Sequence, residues 1–222
     1  TLHDMWAFCG AEHISWDERW QEGYTKKNRP SDDKGFDINR WTWNRKLKHW
    51  RNPFQIVAVS KWLAECAQNS VVMKDWPITT IPNCLNTKIW SPVDKTFARN
   101  MLGLPLEVPI IAFGTYGANS EYHKGFDLLV EALEKLKNLT KDVELAIFGQ
   151  PSPKKPPNLG FKTNFMGHLH DDLSLRLLYS AIDVLVVPSR KEAFGQTASE
   201  SMACATPVVP FGNSRSATSF LS

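Results

Sequence analysis

From residue 108 onward the chain alternates segments that are apolar at every position with segments that are apolar on one helical face only. Few folds accommodate that pattern. "VPIIAFGT" (108–115), "VELAIFG" (143–149), "DVLVVPS" (183–189) and "PVVPF" (207–211) carry almost no polar side chains. A strand with one wet face alternates polar and apolar residues; a strand apolar throughout is covered on both faces, as in a parallel sheet between helical layers. The intervening "KGFDLLVEALEKLKNL" (124–139) places Phe126, Leu129, Val130, Leu133 and Leu136 on one helical face, and "DDLSLRLLYSA" (171–181) reads as a second helix. "KTNFMG" (162–167) is a further strand, and the Pro-rich "QPSPKKPPN" (150–158) is a loop. This predicts a doubly wound α/β fold, whose ligands sit beyond the carboxyl ends of the strands.

The first part of the chain is less regular. It concentrates the 9 Trp and carries turn signals at "NRPSDDKG". "FQIVAVS" (54–60) predicts a buried strand, "KWLAECAQNS" (61–70) an amphipathic helix with Trp62, Leu63 and Cys66 on one side, and "PITTIPN" (77–83) a short extended run. The looser "CLNTKIWSPVDKTFARNMLGLP" (84–105) reads as a crossing between domains, which places them at 1–82 and 83–222. In "RWTWNRKLKHWR" (40–51), Trp43, Leu47 and Trp50 recur at helical spacing among five Lys/Arg and no acid. Such a helix resembles an interfacial membrane anchor that could meet an anionic lipid-linked acceptor; the blander reading is a surface helix burying its Trp face.

Composition excludes little but does narrow the partners. The net charge of +3 is too small to imply nucleic acid, and no recognised nucleic-acid module surrounds the basic segment. The four cysteines form no CxxC pair, so neither a zinc site nor a disulfide framework is expected, and a reducing cytoplasmic setting follows. His123, His168 and His170 read as loop residues rather than metal ligands. No apolar run reaches the length of a membrane span. The chain begins at Thr1 without Met and ends in the aperiodic "GNSRSATSFLS", which reads as a fragment.

The chemistry concentrates in "PSRKEAFGQTASE" (188–200). A helix starting near Gly195 leaves the amides of Phe194, Gly195 and Gln196 as unpaired donors, and such an end attracts phosphate through its hydrogen bonds and its dipole. Gly195 lets a ligand approach the backbone. Two carboxylates, Glu192 and Glu200, cannot favour a phosphate; they are suited to accepting hydrogen bonds from hydroxyls, Glu200 from a vicinal pair such as a ribose. Hydroxyl readers beside an anion site describe a nucleotide-sugar. Each residue also has a plainer role: Glu200 as an exposed helix residue, Glu192 as a dipole partner, Lys124 as a solvated lysine, His3 as a structural histidine.

"EAFGQTASE" resembles the E-x7-E motif of retaining glycosyltransferases of family 4, which have the GT-B fold. "TLHDMW", "IVAVSKWLAE", "TIPNCLNTKIW", "KGFDLLVEAL" and "FMGHL" are similar to the family's other landmarks and occur in its order. The resemblance implies two Rossmann-like domains with parallel sheets, the N-terminal one incomplete and on the acceptor side, the C-terminal one truncated and holding the donor. It implies that Glu200 contacts the ribose, and that Glu192, Phe194 and Gly195, with Gln196 and Thr197 at the helix start, contact donor sugar and diphosphate. Lys124 matches the cation that balances the leaving diphosphate, and His3 a residue near the reaction centre. Gly167, His168 and Leu169 match the loop that holds the base. Where many relatives carry an Arg, "FGTYGANS" offers Thr115, leaving Lys124, the helix end and Arg190 or Lys191 for the phosphates. The implied reaction is transfer of a sugar from a nucleoside-diphosphate donor to an acceptor hydroxyl of a glycan or lipid-linked acceptor. It proceeds with retention, without metal or other cofactor, in cell-surface polysaccharide or lipopolysaccharide assembly, in the cytoplasm or peripherally at the inner face of the membrane. The alternatives are a nucleotide-sugar epimerase of GT-B architecture, or an inactive nucleotide-binding fragment.

Overall fold

A computed structural model describes residues 1–114, 122–152, 154 and 156–211. The chain divides into two compact units, Thr1–Asn83 and Cys84–Ser222.

In the first unit, α1 (Arg19–Glu22) and α2 (Ile38–His49) precede β1 (Ile56–Ala58), α3 (Lys61–Asn69) and β2 (Ile78–Thr80). β1 and β2 pair in parallel, and Leu2 adds an isolated parallel bridge to Ala58. Ser60 starts α3 by accepting a hydrogen bond from the Leu63 amide, as an N-cap serine does. The core gathers Met5, Phe8, Trp20, Leu63 and Met73.

The basic helix α2 turns differently from its expected face. Trp43 is buried, but its inward companion is Lys46, while Leu47 is exposed. The Lys46 ammonium donates to the carbonyls of Trp6, Cys9 (3.0 Å) and Gly10 (2.7 Å) and lies 4.0 Å from the centre of the Trp6 ring. Three carbonyls and an aromatic face offset part of the cost of burial, which still pushes its pKa down to about 8.

The second unit contains α4 (Lys95–Leu102), β3 (Ile110–Gly114), a 3-10 turn (Tyr122–Lys124), α5 (Phe126–Leu136), β4 (Glu144–Phe148), β5 (Lys162–Gly167), α6 (Asp172–Ala181), β6 (Val184–Val187), α7 (Gln196–Ala203) and β7 (Val208–Pro210). The stretch read as a loose crossing therefore contains a helix. Asp94 caps α4 through the Phe97 amide at 2.8 Å, and Gly103 closes it in the left-handed region.

Five strands form one parallel sheet in the order β5-β4-β3-β6-β7. Alternate residues feed two cores. Ile110, Ala112, Ala146 and Leu185 pack with residues of α4, α6 and α7, whereas Ile111, Phe113, Leu145, Ile147 and Val186 pack with α5. Burial on both faces explains why the strands lack polar alternation, and each large side chain so buried is worth about 1.5–3 kcal/mol. At the entry to the sheet, Arg99 donates to the carbonyls of Ala181, Pro105, Leu106 and Val108 and to Asp183. Asp183 also accepts from Lys95 and the Ile110 amide. This node around the buried Arg99 ties α4 to the first residues of β3 and to Asp183, just before β6.

The chain builds outward from β3 to β4 and β5, then returns to β6 on the other side of β3 and continues to β7. The direction of winding reverses between β3 and β6, where ligands bind in such sheets.

Candidate functional site

At the carboxyl ends of β3 and β6 lies a cleft of about 230 Å³. Gly114, Phe148 and Gly149 line it from β3 and β4, Leu185 to Ser189 from β6 and its exit, and Lys124, Glu192 and Thr197 from the flanking segments. Among the named site residues, the fold thus brings Lys124, Glu192 and Thr197 to one cavity.

The two helices that start beside this cleft differ from α3, α4 and α6, which carry Ser60, Asp94 and Asp171 as hydrogen-bonding caps. α5 and α7 begin at Gly125 and Gly195, both in the left-handed region and without a side-chain cap. The first amides of α7, at Gln196 and Thr197, are therefore left for a ligand, and a helix start free of a capping oxygen favours an anion. The Ala198 and Ser199 amides already bond the Gly195 carbonyl. Gly125 has a second reason to be glycine. A Cβ there would stand 2.0 Å from the Pro188 carbonyl oxygen, so only a residue without a side chain lets the head of α5 close against the exit of β6.

Lys124 and Glu192 meet across the cleft at 3.2 Å. The cation expected on a phosphate and the carboxylate expected on a sugar are thus partners of each other. Arg190, offered by its sequence position as a further phosphate cation, is committed elsewhere. Its guanidinium pairs with both oxygens of Asp127 at 2.7 and 2.5 Å and lies over the Tyr122 ring. Thr115 lies outside the described residues.

Glu200 is buried one turn into α7, and the Tyr179 hydroxyl of α6 donates to its Oε2 at 2.9 Å. Burial raises the pKa of the Glu200 carboxyl, opposed by hydrogen bonds from Tyr179 and Gln196. Tyr179 is the functional neighbour that pattern reading missed; it reads as one more core residue of α6. Its own pKa is pushed up by burial and by the Glu200 charge.

Gly167, His168 and Leu169 follow β5 at the same sheet edge. The Gly167 carbonyl accepts from the Gly149 amide at 2.9 Å, so it is engaged within the protein. His168 is exposed and stacks on His170 with ring centres 5.5 Å apart. Leu169 packs against the α6 core, and Phe194 is half-buried in the loop before α7. His3 is exposed in the first unit, immediately after the Leu2 bridge. The described residues contain no group of three or more His, Cys, Asp or Glu suited to a metal ion.

A five-stranded parallel sheet with a reversal cleft and two uncapped helix starts is a doubly wound α/β unit, and the fold is that of GT-B glycosyltransferases. Residues 109–217 match the family described as glycosyl transferases group 1. A D-inositol 3-phosphate glycosyltransferase of Xylanimonas cellulosilytica is 35% identical over 127 residues, 52% of this chain and 28% of that protein. Sucrose-phosphate synthase from Thermosynechococcus elongatus superposes with a TM-score of 0.63 at 28% identity, over 78% of this chain and 44% of that one. The Anabaena protein HepE, solved in complex with UDP-glucose, shares the fold at a TM-score of 0.56 and 19% identity, over 72% and 45%. The chain spans under a third of the length of the curated relatives it matches.

Proposed function

We propose that the chain is part of a retaining glycosyltransferase of family 4, which transfers a sugar from a nucleoside-diphosphate donor to an acceptor hydroxyl. The observation that carries this reading is the cleft at the reversal point, where Lys124, Glu192 and Thr197 face one cavity beside the uncapped start of α7. In this scheme the Gln196 and Thr197 amides and Lys124 bind the diphosphate and stabilise it as it leaves. Glu200, oriented by Tyr179, accepts from the ribose hydroxyls. Glu192 and the Phe194–Gly195 turn contact the sugar, with Gly167, His168 and Leu169 beside the base. His3 of the acceptor-side unit serves near the reaction centre. The sugar is attacked on the face the phosphate leaves, and the departing phosphate takes the acceptor proton; the scheme assigns no step to a metal or cofactor.

The relatives named D-inositol 3-phosphate glycosyltransferase favour a polar, phosphate-bearing acceptor, and the landmark "TLHDMW" favours a role in polysaccharide or lipopolysaccharide assembly. No helix among the described residues is long and apolar enough to cross a membrane. Cytoplasmic placement with peripheral membrane contact is part of the proposal, through α2, whose exposed Trp41 is stacked by Arg45.

The test is a coupled transfer assay, with calorimetry, on the protein that contains this chain. Glu200→Ala is expected to weaken donor binding at least tenfold, the equivalent of about 1.4 kcal/mol, and Glu192→Ala to lower turnover with a smaller effect on nucleotide affinity. Unchanged rates and affinities in both variants would remove the site assignment.

A further inference from the structure

We propose that Arg190 is a positioning residue: by clamping the Tyr122–Lys124 turn and the head of α5 to the loop between β6 and α7, it sets the spacing between Lys124 and Glu192. The proposal rests on the reading of the cleft as a donor site and adds to it a residue that touches no ligand.

The clamp is built from four contacts. The Arg190 amide donates to the His123 carbonyl at 2.7 Å, and its Nη1 donates to the Tyr122 carbonyl at 2.9 Å. Its two terminal nitrogens meet the two Asp127 oxygens at 2.7 and 2.5 Å, and the guanidinium carbon lies 4.0 Å from the centre of the Tyr122 ring. The Arg190 side chain is 17% exposed. Lys124 sits between the clamped positions 122, 123 and 127, and Glu192 is two residues beyond Arg190. Both members of the Lys124–Glu192 pair are thereby tied to Arg190, through its amide and its guanidinium. The planar fork matters, because it bonds a carboxylate at two points while spanning to a carbonyl and an aromatic face, which an ammonium cannot do.

The consequence concerns selection of the whole donor. A bare nucleoside diphosphate needs Lys124 and the α7 amides. A nucleotide-sugar also needs Glu192 within reach of the sugar while Lys124 stays on the phosphate. Loosening the clamp therefore hurts binding of the sugar nucleotide more than that of the diphosphate. Arg190→Ala is expected to weaken UDP-glucose or GDP-mannose binding about tenfold, the equivalent of about 1.4 kcal/mol, while affinity for UDP or GDP changes by less than about threefold. Asp127→Asn should reproduce the bias, Arg190→Lys should recover only part of the loss, and the exchange Arg190→Asp with Asp127→Arg should recover more than either change alone.

The measurement is calorimetry with the diphosphate and the sugar nucleotide on each variant, with melting curves recorded alongside. Equal losses for both ligands, or losses that track melting temperature alone, would overturn the positioning role. A wild-type protein that binds neither class of ligand sinks the donor reading. The clamp then stands or falls on the Lys124 ammonium signal in ¹⁵N spectra, which must lose its ion-paired character in Arg190→Ala.

Discussion

Glu200 is charged at the proposed donor site only if its buried carboxyl gives up its proton. Its pKa in the fold is raised by burial above the ordinary 4.5. The stability linked to a raised pKa is present below the unfolded value and is lost as pH rises through the folded one. Ligand binding has the opposite sign. In the proposed role ribose hydroxyls donate to the carboxylate, so donor affinity should fall as pH drops through the raised value. Glu200→Gln should flatten that dependence, and titration calorimetry across mildly acidic pH reads it. An unchanged pH profile in Glu200→Gln would remove the ribose role. The carboxylates and the lysine were legible as residue types at a motif spacing. Tyr179 was not, because it meets Glu200 from a different helix, and only packing brings the two together.

At the level of elements, the site depends on what the helix starts leave out. α5 and α7 begin on left-handed glycines, so their amides are not taken by a capping side chain. Gly195 was legible, since glycine before a helix beside a phosphate-type loop has a stated purpose. The demand on Gly125 was not, because the Pro188 carbonyl that excludes a Cβ lies on another strand's exit. Gly125→Ala is expected to cost at least about 1 kcal/mol for its positive φ, and to widen the Lys124–Glu192 gap as the helix head moves away. Denaturant melts and UDP affinity check both parts; a variant with wild-type stability and affinity would contradict the close-approach argument. α4 escaped the pattern reading although Asp94 and Gly103 bracket it, because its inward face is held by Arg99 as well as by apolar contacts. On α2 the apolar period pointed to Leu47, whereas three backbone carbonyls bring Lys46 inward.

For the molecule as a whole, a ligand that binds the folded state alone must raise its stability. A nucleotide or nucleotide-sugar at 100 times its Kd should add about 2.7 kcal/mol and raise the melting temperature accordingly. Screening uridine and guanosine diphosphates and their sugars by thermal shift would rank the donors; the absence of any shift would count against the donor site. The sequence by itself determined the doubly wound α/β class, the edge of the sheet where a ligand would sit, and the E-x7-E segment. Those follow from local patterns, apolar runs covered on both faces and a glycine at a helix start, which need no knowledge of distant neighbours. Only the tertiary structure decided that the winding reverses between β3 and β6, that Lys124 and Glu192 face each other, that Arg190 bonds Tyr122, His123 and Asp127 beside them, and that the Tyr179 hydroxyl donates to Glu200. Each of these joins residues 21 to 73 positions apart, and contacts of that range are set by packing and hydrogen-bond geometry across elements, on which periodicity within an element carries no information.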